Sequence, residues 1–250
     1  MRTENQYQKA INYHNKGLNE TEISKIINVP RTTIIDWIKK KPNFEKAIIN
    51  FNPKDYVTSN NLENTYSYIL GLYLGDGYIN QMKNKRTYRL RIFNDTKYDN
   101  LNKYIISELQ KLFFNNKVGF INSKTWLSIY VYSNKLPKLF PQNGSGRKHN
   151  RKIKLFDWQI NVISNKYLLM GLFHSDGCHY FNNIKDKKYE SYSFSNVSKD
   201  IHEIFQNCCK LLNVEYTKSS KTPNTEIRQR SSVEYLKNNI GTKENIIISS

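Results

Sequence analysis

Asp76 and Asp176 each close an apolar run and are each followed by glycine. A helix that ends on an acid sets a negative charge beside the negative end of its own dipole, a local cost of up to about 1 kcal/mol. Meeting that arrangement twice in one chain predicts a cation that offsets it. Two carboxylates, with the backbone carbonyls freed at two helix ends, make an all-oxygen donor set suited to Mg²⁺. The chemistry such a site supports is metal-assisted phosphodiester hydrolysis.

The runs that carry the acids must bring them together. In the first, Gly71 and Gly75 lie on one helical face, as Gly171 and Ser175 do in the second. Small residues at that spacing let two backbones approach closely, so the two helices are expected to dock through these faces with the acids at one end. Gly77 and Gly177 are expected to supply a left-handed turn out of each helix.

Around each run the same order of elements is predicted. In the first copy, residues 64–75 read as a helix, 77–81 and 88–94 as strands, 97–114 as a helix, 117–121 and 126–133 as a hairpin, and 135–140 as a short helix. The strand at 88–94 alternates Tyr88, Leu90 and Ile92 against Arg89 and Arg91. In the second copy the order recurs at 166–175, 178–183, 189–196, 199–212, 214–218 and 225–230, ending in a helix to 239. A unit used twice predicts a pseudo-twofold protein. The fold class is therefore α+β, a pseudo-twofold pair of αββαββα units preceded by a small all-α domain. Its halves span 64–142 and 164–250, joined by a basic linker at 143–163.

The first 45 residues read differently, as three short helices with a tight turn at Asn28-Val-Pro30. A short helix, a turn and a helix opening on Arg31, Thr32 and Thr33 match the helix-turn-helix pattern, whose second helix enters the major groove. Arg31, Thr32, Thr33 and Lys39 are the expected DNA contacts, and 46–63 is expected to be a linker. The alternative is a three-helix bundle that serves only for packing.

Composition agrees with a polyanionic partner. The formal net charge is +18, from 39 Lys and Arg against 21 Asp and Glu in 250 residues. The linker adds a local excess, with Arg147, Lys148, Arg151 and Lys152 expected to grip phosphates. On the predicted strands, Arg89 and Arg91 face the same way, as do Arg228 and Arg230, and all four are expected to contact phosphates or bases. Three cysteines, Cys178, Cys208 and Cys209, form neither a disulfide framework nor a zinc pattern. The sequence contains no apolar run long enough for a membrane span, and cytoplasm is the expected compartment.

Ile69-Leu-Gly-Leu-Tyr-Leu-Gly-Asp-Gly77 and Leu169-Met-Gly-Leu-Phe-His-Ser-Asp-Gly177 resemble the two motifs of a single-chain LAGLIDADG homing endonuclease, and the resemblance extends over about residues 64–240. It implies a monomer whose two sheets form a saddle that straddles a long double-stranded DNA site, acting in intron homing, with the motif helices as central interface. It further implies that Asp76 and Asp176 hold Mg²⁺, with Mn²⁺ as a substitute, that the carbonyls of Gly75 and Ser175 complete the metal shell, and that cleavage leaves 3′ overhangs. A basic side chain is expected near each scissile phosphate. Lys124 and Lys221 fill that role in this reading because Ser-Lys-Thr recurs at the second hairpin turn of each copy. Leu74 and His174 replace the motif's first, variable acid. The competing functions are a non-cleaving transcription regulator on the same scaffold and an intron RNA maturase.

Overall fold

The computed structural model describes residues 4–40, 51–83, 87–219 and 222–247. The chain forms two compact units, one ending at Phe51 and the other beginning at Asn52.

The first unit holds α1 (Glu4–Asn15), α2 (Glu20–Ile27) and α3 (Arg31–Lys39) around Tyr7, Ala10, Ile23, Val29, Ile34 and Trp37. Asn19 starts α2 through a capping box, its side chain accepting from the Glu22 amide while the Glu22 carboxylate accepts from the Asn19 amide. Asn28 ends that helix in the left-handed region, at φ 52°. Tyr7 meets Trp37 edge to face at 5.8 Å. On α3, Arg31, Thr32 and Lys39 are exposed, but Thr33 is only 8% exposed and packs with the core. Thr33 therefore lies on the buried face of α3 and presents little surface for the expected DNA contact.

The second unit opens with α4 (Pro53–Thr58), inside the expected linker. Asn52 caps it, Pro53 takes the first turn, and the Tyr56 hydroxyl donates to the Leu112 carbonyl at 2.6 Å. Residues 46–50 of that linker lie outside the described residues. Next come α5 (Glu63–Leu74), β1 (Gly77–Gln81), β2 (Tyr88–Asp95), α6 (Asp99–Leu112), β3 (Val118–Asn122), β4 (Trp126–Ser133) and α7 (Leu136–Leu139). After α8 (Asp157–Ile160) the pattern recurs as α9 (Asn165–Asp176), β5 (Gly177–Ile184), β6 (Lys187–Ser195), α10 (Lys199–Leu211), β7 (Thr217–Lys218), β8 (Asn224–Ile227) and α11 (Arg230–Asn239).

Both sheets are antiparallel, with strand orders β1-β2-β4-β3 and β5-β6-β8-β7. The expected paired αββαββα arrangement is present. In the first sheet Leu90, Ile92, Ile129 and Val131 point to the core, while Tyr78, Arg89, Arg91 and Tyr130 line the opposite face. One expected strand is shorter than its sequence suggests. The Gln229 side chain accepts from the Ser232 amide and starts α11 at once, so Arg230 belongs to a helix and does not share a strand face with Arg228. Among the described residues, no helix is long and apolar enough to cross a membrane.

Candidate active site at the paired helix ends

α5 buries every residue from Thr65 to Leu74, and α9 every residue from Leu168 to Ser175. The glycine faces meet each other, while Tyr66 and Tyr73 pack on Phe140 and Phe173 packs on Tyr192. A Cβ added to Gly71 would lie 2.6 Å from the Leu168 carbonyl oxygen, and one added to Gly171 would collide with the Tyr68 carbonyl. Glycine is required because backbone meets backbone. A Cβ on Gly75 would lie 2.7 Å from Asp176 Oδ2, so the C-cap of α5 and the acid of α9 are neighbours.

The glycines after the acids act differently from the sequence expectation. Gly177 is extended, at φ −85°, and neither it nor Gly77 has a positive φ. What each needs is the missing side chain: a Cβ on Gly77 would strike the Tyr73 backbone, and one on Gly177 would strike Phe173.

The carboxylates sit in a strained electrostatic setting. Burial, followed by the charge of Asp176, raises Asp76 to about 6, against the pull of Lys243 and Lys148. Asp76 is nonetheless exposed to solvent by its accessible surface, unlike the half-buried Asp176. Burial also raises Asp176, opposed first by the hydrogen bond from Asn196 Nδ2 at 2.7 Å and then by Lys148 and Lys243.

Two lysines complete the arrangement. Lys148 Nζ donates to the carbonyls of Tyr73, Gly75 and Gly77 at 2.6, 2.5 and 2.9 Å. Lys243 Nζ donates to the Ser175 carbonyl at 2.5 Å. Each helix end thus has an acid and an ammonium on the carbonyl just before it. Burial lowers Lys148 to about 8, while Asp176 and Asp76 hold it up. A cavity of about 710 Å³ opens here, lined by Gly75, Lys148, Arg151, Asp176 and Asn196 among others.

Among the described residues, no group of three or more His, Cys, Asp or Glu could hold a metal ion. The donor set nonetheless fits a hard cation. Mg²⁺ commonly takes one or two carboxylates and completes its shell with water and substrate phosphate. Each carbonyl oxygen has two lone pairs, so the Gly75 and Ser175 oxygens can serve an ammonium and an ion together. That lysine ammoniums already gather on these oxygens is the sign that the helix ends attract positive charge.

The remaining expected site residues are dispersed. Lys124 lies at the β3–β4 turn, whose carbonyl accepts from Thr96 Oγ1, and it does not figure among the charges acting on either acid. Lys221 lies outside the described residues. In the linker, Lys152 pairs with Asp200 at 2.7 Å and Arg151 donates to the Gln142 carbonyl, while Arg147 stays exposed. The Ile153 amide also bonds Asp200, so this segment is pinned to α10. His174 is buried between the Tyr68 hydroxyl at 3.1 Å and the Ile240 carbonyl at 3.2 Å, far from acting as a ligand. Lys243 and Asn196 were not expected from the sequence, and Lys148 was expected only as a phosphate contact.

No protein-family model and no curated protein matches the sequence. Several solved structures are similar to part of this chain. I-DmoI in complex with DNA and Mn is 21% identical at a TM-score of 0.48, covering 72% of this chain and 97% of that one. The homing endonuclease I-WcaI bound to its DNA recognition sequence is 16% identical at 0.45, covering 74% and 88%. The LAGLIDADG meganuclease I-AabMI bound to uncleaved DNA is 14% identical at 0.43, covering 68% and 81%.

Proposed function

We propose that the chain is a site-specific endonuclease that hydrolyses both strands of duplex DNA and leaves 3′ overhangs. The observation that carries this is the pair of acids at the tip of the glycine-packed helices, each with a lysine bound to the carbonyl before it. Asp76 and Asp176, with the carbonyls of Gly75 and Ser175, would hold Mg²⁺ or Mn²⁺. When bound, that ion supplies Lewis-acid stabilisation of the charge developing on the phosphodiester.

The chain's own groups do the rest. Lys148 and Lys243 add fixed positive charge where a phosphate would enter, and cost no reorganisation because carbonyls already hold them. Asn196 fixes the orientation of Asp176. The net charge of +18 draws the polyanion in, and Arg89, Arg91 and Arg147 face solvent-accessible ground where it would lie. The three-helix unit is proposed as a helix-turn-helix that extends the footprint through Arg31, Thr32 and Lys39. A single chain supplies both acids, so the active species is proposed to be a monomer working in the cytoplasm.

Incubation with a plasmid library of randomised sites in Mg²⁺ or Mn²⁺ tests this reading. Discrete double-strand cuts that disappear in Asp76→Asn and Asp176→Asn are the expected result. Tight binding to a defined site that is never cut would replace the endonuclease with a regulator.

A further inference from the structure

The two sheets are built alike but their solvent faces are not. Strand register makes the comparison residue by residue: Gly77 pairs with Ile92 in the first half and Gly177 with Phe194 in the second. Ile92 and Phe194 are therefore equivalent, and Arg91 and Arg89 correspond to Ser193 and Ser191. The first half carries two guanidinium groups where its mate carries two hydroxyls.

These arginines are held in place. Arg91 lies between Tyr78 and Tyr130 across the sheet, with its guanidinium 5.5 Å from the Tyr78 and Phe93 ring centres. Arg89 lies between Asn80 and Tyr132 and sits 5.9 Å from the Tyr132 ring. Stacking on rings restricts the rotamers without using the donors. The Nε of each is buried and has no hydrogen-bond partner among the described residues. The buried Nε atoms are out of a ligand's reach, so recognition falls to the terminal nitrogens of each guanidinium. The second face is internally paired instead: Tyr180 donates to Glu226, and Asn182 Nδ2 to Ser191 Oγ at 3.0 Å.

A guanidinium fixed at a groove-facing position matches the O6 and N7 acceptors of guanine, which it takes as a pair. Spacing sharpens the match. Two residues along a strand advance about 6.7 Å, which is about two base steps of 3.4 Å. We propose that Arg89 and Arg91 each read one guanine, so that the target carries two G·C pairs separated by a single pair in the half-site under the first sheet. The half-site under the second sheet has no such requirement, since serines stand in both places. The target is then asymmetric at these positions although the protein is pseudo-twofold. This rests on the endonuclease reading and names the sequence that the same saddle would select.

Selection from a pool of randomised duplex DNA, with the whole chain in Ca²⁺ to separate binding from cutting, tests it. The expected consensus contains G-x-G on one strand or its complement, in one half only. Arg91→Lys and Arg89→Lys keep the charge and lose the paired geometry. Each should reduce preference at one of the two positions by about tenfold or more, leaving the other half-site unchanged. A consensus without the spaced pairs overturns the inference and leaves the endonuclease reading standing. Arginine variants that weaken all bound sequences evenly would assign these side chains to phosphates and overturn it as well. Failure to select any consensus would count against the endonuclease reading itself.

Discussion

Asn196 Nδ2 donates to Asp176 Oδ2 at 2.7 Å, and among the described residues no side chain does the same for Asp76. Asn94 occupies the matching place in the first half, but its amide donates to Asn102 Oδ1 at 2.9 Å. His202 stands in α10 where Asn102 stands in α6, and its ring meets the Asn196 backbone amide instead of the side chain. The two acids are therefore supported unequally. Asn196→Ala should slow the cutting of one strand by about tenfold, the value of one hydrogen bond to a charged group. Nicked circles should then accumulate on a supercoiled target, whereas Asn94→Ala should leave both rates within about twofold. Equal slowing of both strands by Asn196→Ala would refute the inequality.

Lys148 and Lys243, and not Lys124, are expected to support the chemistry. Replacing either by methionine should lower cleavage about a hundredfold, the usual scale for losing one preorganised electrostatic group. Affinity for the target, measured without a divalent ion, should change far less. Lys124→Met should resemble the wild type. Because burial lowers Lys148 to about 8, its charge is present below that pH and disappears above it. Cleavage should fall on the alkaline side accordingly, and Lys148→Arg, if active, should shift that limb upward.

Gly71→Ala and Gly171→Ala should be among the most damaging single substitutions in the chain. Each new Cβ meets backbone of the facing helix, which cannot rotate away as a side chain could. Overpacking of this kind destabilises by about 1–3 kcal/mol or more. Gly146→Ala is a suitable contrast: its positive φ strains alanine, but no atom lies within 4 Å of the added carbon. Urea midpoints for the three variants would settle the order, with Gly71 and Gly171 expected to fall furthest.

Acid sensitivity is expected from His174. Burial lowers it to about 3, against a hydrogen bond with Ile240 and with Lys243 lowering it further. In the unfolded chain it titrates near 6.5, so between about 6.5 and 3 the unfolded state binds the extra proton. Its contribution is complete above that window and is lost as pH falls through it, on the order of a few kcal/mol in total. Asp76 works in the opposite sense between about 4 and 6, because the folded acid retains its proton there. His174→Gln, which keeps hydrogen-bonding groups toward Tyr68 and Ile240, isolates the first effect. The variant should lose less stability than the wild type on going from about pH 6.5 to 4, as read by denaturant midpoints.

The local signals in the chain were the ones that could be read ahead of the coordinates. An apolar run ending in Asp-Gly, with small residues four apart, is contained within one helix, and so Asp76, Asp176 and the docking face were legible. Alternation in β2 likewise placed Arg89 and Arg91 on a common face. The supporting lysines depend on long-range placement. Lys148 bonds a carbonyl 73 residues earlier and Lys243 one 68 residues earlier, so the repeat does not align them. The Ser-Lys-Thr recurrence pointed instead to hairpin turns. Thr33 and Arg230 differ for smaller reasons: Thr33 falls on the buried face of α3, and a cap at Gln229 begins a helix where alternation implies strand.

The buried run of α5 has a consequence for inheritance. In either half alone the α5 or α9 face that meets the other helix would lie open to water, so a gene retaining only one half would encode a chain that covers that face by pairing with itself. Its two groove faces would then be identical, two arginine faces or two serine faces, and its preferred site palindromic. Fusing unlike halves lets the chain keep a one-sided address, and substitutions on the two outer faces can accumulate separately while the glycines between them stay fixed.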